Sequence, residues 1–345
     1  MTNNQLSHAG DASRGAPKAG RPLWADFGAG ERQAPHDKII NMKKLTVTIG
    51  IPAYNEANNI ASLLDELLKQ KLSSTRLVGI NVISDGSTDK TVKEVKKKKS
   101  GLIHIFEYKK SVGPAIRQDQ LIAMTRSDIL ILLNADIVIS DQFFLEKLVA
   151  PIISKKAHLT SAAIYELESR TFFESVLQVS MRLKRVLFDS IKNGNNLYNC
   201  HGPARAFSRS LYQKLHFKMN EGEDMYSYIM CLKHHFKFVY VRDAHLFYSL
   251  PANFGDHLKQ SVRYLKAQSL LGKVASVEFA QEELRIPWKS IFDASIKAVP
   301  IIIRFPLQTL VYLGILLVVE IYSYIKIVPT ATWNVRSSKF IRVKV

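Results

Sequence analysis

Cysteine is scarce in this chain of 345 residues, and the two present, Cys200 and Cys231, stand far apart with no second pair. That excludes a disulfide framework and a cysteine-based zinc site, and points to a reducing compartment with both thiols serving as ordinary core residues. Acids are also in short supply: 30 Asp and Glu face 48 Lys and Arg, for a formal net charge of +18. Such a surplus favours anionic partners, whether nucleic acid, anionic lipid or phosphate-bearing substrates. Zinc-finger spacing, an aromatic RNP-like string and a compact helix-turn-helix signal are all missing, so nucleic acid is not an expected partner. The turn after Ile51 lacks G-x-G-x-x-G, which argues against a dinucleotide-dependent dehydrogenase. Residues 1–43 lack both apolar periodicity and the apolar core of a secretory signal; rich in Gly, Ala, Ser, Asn and Arg, they read as a disordered basic leader.

What is present is a hydrophobic content of 47%, enough for a full α/β core. Leu45–Ile51 is short and β-branched, as a buried strand should be. After it, Ile60, Leu63, Leu64, Leu67 and Leu68 fall on one helical face. A strand from Val78 to Ile83, a very basic helix with Val92 and Val95, a strand from Leu102 to Glu107, a helix near Pro114 to Met124 and the apolar strand Ile129–Leu133 continue the alternation. Such a βαβ order predicts an α/β fold with a parallel, doubly wound sheet that binds ligands at the carboxyl ends of its strands.

Three polar strings sit at those ends. Pro52-Ala-Tyr-Asn-Glu56 reads plainly as a turn in which Asn55 caps the next helix and Glu56 complements its dipole, although this leaves the rest of the string unexplained. Asp85-Gly-Ser-Thr-Asp89 allows a tight turn at Gly86 and a cap from Ser87 or Thr88, or a ligand site. Asn134-Ala-Asp136 follows a strand too apolar to be anything but buried, and so is either a simple turn or a pair of oxygen ligands aimed into a cleft.

In this order and on these elements, the strings resemble glycosyltransferase family 2, whose GT-A fold carries a P-x-Y-N-E opening, a D-G-S-x-D turn and a D-x-D metal motif; the resemblance covers roughly Leu45 to Gln268. It implies a Rossmann-like, mostly parallel sheet with helices on both faces, and inverting transfer from a nucleoside-diphosphate sugar. Pro52, Tyr54 and Glu56 would border the nucleotide, Asp85 would contact the base, and Arg117 would be the basic residue that follows the family's glycine. Asp136, with Asn134 beside it, would ligate Mg²⁺ or Mn²⁺. Asn134 stands where the family has its first aspartate; an amide oxygen or a bridging water can replace a carboxylate, with one charge lost and weaker metal affinity expected.

Further along, His201-Gly-Pro-Ala-Arg-Ala-Phe207 resembles the family's acceptor-bordering segment, and Glu221-Gly-Glu-Asp224, before a helix from Met225 to His234, resembles its E-D motif. Acids at a helix start also offset its dipole, by about 0.3–1 kcal/mol. With the other motifs in place, Asp224 is the candidate catalytic base. Gln260-Ser-Val-Arg-Tyr264 is similar to the family's Q-x-x-R-W, with Tyr264 in place of Trp; Gln260 and Arg263 share a helical face for sugar and phosphate, or simply lie on a solvated amphipathic helix. His245 reads either as a metal-assisting residue or as a structural histidine.

The C-terminal region changes character. Pro306–Ile325 is mostly apolar with an isolated Glu320, and the tail carries Arg336, Lys339, Arg342 and Lys344. It barely reaches the length of a spanning helix, and exporting the basic tail would oppose the positive-inside tendency. An interfacial helix or re-entrant hairpin on the cytoplasmic face of an anionic membrane is the expectation, with burial against the domain as the alternative. The Lys96–Lys99 run reads as a further anionic-surface contact or as a solvated helix face. The expected division is 1–43 leader, 44–290 GT-A domain and 291–345 membrane-associated apolar region with a basic tail. The acceptor would be a glycan or lipid-linked hydroxyl; a catalytically weak sugar-nucleotide-binding protein of the same fold is the other reading.

Overall fold

The computed structural model describes residues 44–217 and 222–325. The leader, Glu221 and the basic tail lie outside them. In chain order the strands are β1 (Leu45–Ala53), β2 (Thr75–Asp85), β3 (Ile103–Tyr108), β4 (Ile129–Leu133), β5 (Ile137–Val138), β6 (Leu159–Glu166), β7 (Ala204–Ser208) and β8 (Phe238–Tyr248). The helices are α1 (Ile60–Leu68), α2 (Thr91–Lys96), α3 (Pro114–Met124), α4 (Phe144–Ile153), α5 (Phe172–Ser190), α6 (Arg209–Tyr212), α7 (Glu223–Lys233), α8 (Phe254–Leu270), α9 (Val277–Leu284), α10 (Trp288–Arg304) and α11 (Pro306–Ile325).

All eight strands form one sheet in the order β3-β2-β1-β4-β7-β6-β8-β5. β1 pairs in parallel with β2 and β4, β2 with β3, and β6 with β8. β7 runs antiparallel to both β4 and β6, and β5 runs antiparallel to β8. The sheet is therefore mostly parallel but mixed. The parallel run read from the N-terminal alternation extends through β4, and β7 then returns beside β4 in the opposite sense.

β4 explains the layering. Ile129, Ile131 and Leu133 join a core with α1 and α4, whereas Leu130 and Leu132 join a second core with α3 and α7. A strand alternates its side chains between faces, so an all-apolar run is stable only when both faces are covered. Cys200 and Cys231 are buried free thiols. In the basic run, Lys96, Lys97 and Lys98 pair with Glu107, Glu94 and Asp65. Residue 291, the expected start of the C-terminal region, falls within α10.

The helix-capping reading of the first two motifs is corrected. Asn59, not Asn55, precedes α1, and its side chain makes no capping bond; Lys90 precedes α2 in the same way. Asn55 instead adopts a left-handed φ of 57° and accepts a 2.8 Å bond from the Thr88 amide. The Asn55 side chain thus bonds across to the next strand end, while the forward bonds to α1 come from the Glu56 carbonyl, which accepts from the Asn59 and Ile60 amides.

Gly86 has φ of 73°, and a Cβ there would stand 2.9 Å from the Ser111 amide nitrogen. Backbone cannot yield as a flexible side chain can, so Gly86→Ala is expected to lower stability by more than about 1 kcal/mol. Gly101, with nothing within 4 Å of an added Cβ, is the control, and its alanine variant should stay within about 0.5 kcal/mol of the parent in urea unfolding.

Candidate active site

The carboxyl ends of β1, β2 and β4 converge because the strands are parallel and in near register: Ala53 lies opposite Ser84, and Gly50 opposite Leu132. The first two polar strings are bonded to each other there. The Asn55 amide donates to Ser87 Oγ at 3.1 Å, the Glu56 amide to Thr91 Oγ1 at 2.7 Å, and the Ala57 amide to Asp89 Oδ2 at 3.0 Å. Pro52 is buried within β1, Tyr54 and Glu56 are half-buried, and Glu56 Oε2 accepts from Asn59 Nδ2 at 2.7 Å.

Asp85 and Arg117 are turned toward one another. Asp85 is 0% exposed and Arg117 3%. The carboxylate accepts from Ser111 Oγ at 2.9 Å, from the Gly113 amide at 2.8 Å and from Arg117 Nε at 2.5 Å. The guanidinium also donates to the Lys110 carbonyl at 2.8 Å and lies 3.7 Å from the Tyr108 ring centroid. Their visible work is to pin residues 108–113 over the end of β2.

Asn134 and Asp136, in the bend between β4 and β5, are half-buried and alternate with buried Leu133, Ala135 and Ile137. The Asn134 amide donates to the Pro203 carbonyl at 3.0 Å, extending the β4–β7 ladder by one step. Pro203 follows Gly202, whose added Cβ would meet Asp224 Oδ2 at 3.6 Å and Glu223 Oε1 at 3.9 Å. The third motif and Asp224 are thereby joined through residues 202–204. Among the described residues no group of three or more His, Cys, Asp or Glu is gathered as a ready-made metal cage. His245 packs edge-on to Tyr165 and Phe247, on the stretch of β8 beyond its pairing with β5, away from Asp136.

Asp224 opens α7, whose start is set by Gly222 at φ of 75°. A Cβ on Gly222 would approach Ala267 Cβ to 2.8 Å, so α8 lies directly against this turn. On α8, Gln260, Arg263, Tyr264 and Ala267 stand at i, i+3, i+4 and i+7 and share one face. Burial, then the neighbouring Glu223, raises the Asp224 carboxyl above its ordinary range; Arg205, the Met225 amide and Arg263 pull the other way. Asp224 in turn helps push the Tyr264 phenol upward, after burial. Nearby His201 is lowered to about 3, by burial and by Arg185. It stays neutral at physiological pH but is a weak proton acceptor, which leaves Asp224 as the stronger base in this part of the cleft.

Arg205 was not singled out from the sequence. It is 0% exposed on β7, donating from Nη1 to the Glu223 carbonyl at 2.7 Å and to Ser227 Oγ at 2.6 Å, and from Nη2 to Gln118 Oε1 at 3.0 Å. One guanidinium thus joins β7, α3 and the first turn of α7. The available signal was an arginine among Ala204, Ala206 and Phe207, where a charge is tolerated only if its donors are met. Arg205→Met should cost roughly 2–4 kcal/mol in denaturant unfolding, because it strips Gln118 Oε1 and Ser227 Oγ of a donor, the Glu223 carbonyl keeping its bond from Ser227 Oγ.

Residues 48–216 match the sequence profile of Glycosyl transferase family 2. No curated protein matches the chain. Among solved structures, the mannosyltransferase PcManGT from Pyrobaculum calidifontis, in complex with GDP-Man and Mn²⁺, superposes with a TM-score of 0.55 at 15% identity, covering 85% of this chain and 84% of its own. Glucosyl-3-phosphoglycerate synthase from Mycobacterium tuberculosis, in complex with Mn²⁺, UDP and phosphoglyceric acid, gives 0.50 at 18% identity, covering 67% and 79%. At these identities the superpositions establish a shared GT-A fold, while the profile spans the three strings at the strand ends. This chain is a glycosyltransferase whose residues 48–216 form a family 2 domain.

Proposed function

We propose that this protein moves a sugar, with inversion, from a nucleoside-diphosphate sugar to a hydroxyl of a glycan or lipid-linked acceptor at the cytoplasmic face of an anionic membrane. The observation that carries this reading is Asp224: a carboxylate of raised pKa beside Gly202, between Arg205 and Arg263, joined through residues 202–204 to the polar end of β4. An acceptor hydroxyl there loses its proton to Asp224 as its oxygen bonds to the anomeric carbon. The bond from that carbon to the diphosphate breaks on the opposite face, and the nucleoside diphosphate leaves with the electron pair. Pro52, Tyr54 and Glu56 border the nucleotide, and Asp85 and Arg117 act on it through the 108–113 loop they hold. Gln260, Arg263 and Tyr264 line the acceptor side, with Arg263 available to phosphate.

The donors at the end of β4 suit a hard divalent cation. Asn134 and Asp136 offer an amide and a carboxylate oxygen, and Mg²⁺ or Mn²⁺ commonly completes its shell with substrate phosphates and water rather than with a protein cage. When bound, such an ion supplies charge neutralisation for the leaving diphosphate. The ligands of the two superposed enzymes make GDP-mannose and UDP-linked sugars the first donors to test. The second reading, a catalytically weak sugar-nucleotide binder, is favoured by Asn134 alone, since it removes one anionic ligand.

Asp224→Asn should bind donor as the parent does and transfer at least about 100-fold more slowly. Its stability supplies an independent sign. A carboxyl raised in the folded state makes folding less favourable as pH climbs from the ordinary carboxylate value through the raised one, so Asn should match Asp in acid and exceed it near neutrality. Unchanged turnover would remove Asp224 from the mechanism and favour the binding-only reading if transfer were absent in both proteins.

Calorimetry tests the metal. Asp136→Ala should abolish the gain in nucleotide affinity that Mn²⁺ brings, and Asn134→Asp should enlarge it by restoring a charged ligand. Equal nucleotide binding with metal, with chelator and in both variants would exclude the ion from the site.

A further inference from the structure

We infer that the consecutive helices α10 and α11 dock this enzyme in the plane of an anionic bilayer, with neither helix crossing it; this rests on the membrane reading above and specifies its geometry. α11 is the one helix among the described residues long and apolar enough to span. Its structure argues against doing so. Tyr312, Ile315 and Val319 are 5, 8 and 5% exposed and pack with Val176 and Phe173 of α5 and Leu258 and Leu265 of α8. The middle of α11 is therefore fixed along the catalytic domain. Lys184 of α5 lies 5.7 Å from the Tyr312 ring, and Arg182 lies 5.3 Å from that of Phe305. A spanning α11 would carry these cations and the flank of the domain into hydrocarbon, at a cost of several kcal/mol per charge.

The opposite faces are apolar and uncovered. α10 exposes Trp288, Phe292, Ile296, Val299 and Ile303, and α11 exposes Leu307, Leu310, Leu313, Leu317 and Ile321, each set at helical spacing. Both helices pack on α5, and paired Ser190–Ser290 hydrogen bonds of 3.1 and 3.2 Å join the end of α5 to the start of α10. Their exposed stripes lie on faces that α5 leaves uncovered. An apolar surface of this extent on a soluble domain marks a partner.

Charge selects the partner. The charged residues of α10 and α11 are exposed Lys289, Lys297, Arg304 and Glu320 and half-buried Asp293, three cations to two acids. Cations flanking an apolar stripe, with Trp288 at one end, suit an interface of anionic headgroups over acyl chains. α8 connects this surface to the chemistry: Leu258 and Leu265 hold α11, while the face carrying Arg263 and Tyr264 is turned to Asp224. One helix separates the docked surface from the catalytic carboxylate, so an acceptor held in the bilayer would reach the site from the side of α8.

The full chain is tested without donor, so that a failure of transfer leaves the result intact. It should co-sediment with vesicles of phosphatidylcholine and phosphatidylglycerol, and less with phosphatidylcholine alone. Ile303→Asp and Leu310→Asp, at positions 73 and 67% exposed, should each weaken that binding roughly tenfold or more while leaving thermal stability and nucleotide binding unchanged. Lys289→Gln combined with Lys297→Gln should abolish most of the preference for anionic vesicles. Spin labels at Ile303→Cys, Leu310→Cys and Leu317→Cys fix the geometry, since Cys200 and Cys231 are buried and will not compete. In-plane docking predicts similar shallow depths for all three; a span predicts that labels at 310 and 317 differ by about 10 Å. A graded depth, a full chain that ignores both vesicles, or a dimer that Leu310→Asp disperses would each overturn the inference, the last assigning the face to a second copy.

Discussion

The burial of β4 on both faces is the constraint on which the site depends. Five consecutive apolar residues leave no place along the strand for a polar group, so the first oxygen ligands the chain can offer at the sheet's centre are Asn134 and Asp136, just past its end. Parallel β1 and β2 deliver their own polar strings to the same edge. β7, returning antiparallel beside β4, starts where β4 stops, and so brings Gly202 and Pro203 to the third motif and Arg205 into the interior. Arg205 then fixes the first turn of α7 through the Glu223 carbonyl, next to the proposed base. The proposed base thus follows a turn held by a buried cation, whose Nη1 is met by Ser227 and that carbonyl and whose Nη2 is met by Gln118, while its Nε has no partner among the described residues.

Two opposing effects meet at Asp224. Withdrawal from water and the adjacent Glu223 favour its neutral form; Arg205, Arg263 and the Met225 amide favour the carboxylate. A proton acceptor works best when its affinity lies near the operating pH, and the net upward direction at Asp224 moves it toward that point. His201 has no such compensation: burial and Arg185 act in the same direction. The division of labour follows from these surroundings more than from residue type.

Much of the N-terminal half was legible in the sequence because its elements are local and periodic. Ile129–Leu133 and Pro114–Met124 match the expected bounds, and the first three strands differ only at their ends. The later strands β6, β7 and β8 were not read, since Leu159–Glu166 and Phe238–Tyr248 carry mixed polarity and find their partners far away in sequence. Side-chain partners were less legible still. Asn55 was read as a cap from its position, but its positive φ and its bond to Thr88 depend on a strand end 33 residues away. Asp85 and Arg117 carried a motif signal, yet their mutual burial appears only when Gly86 is seated against the 109–111 backbone. The C-terminal stretch displayed its apolar character openly; which stripe faces α5 and which faces outward is set by packing.

A structure with intact nucleotide sugar and Mn²⁺, trapped in the Asp224→Asn protein, tests the central claim most directly. The account predicts the diphosphate beside Asp136 at the end of β4, the nucleoside along the ends of β1 and β2, and the anomeric carbon turned toward residue 224 with room for a hydroxyl between them. A sugar whose anomeric carbon faces away from α7, or a nucleotide bound elsewhere on the sheet, would contradict it.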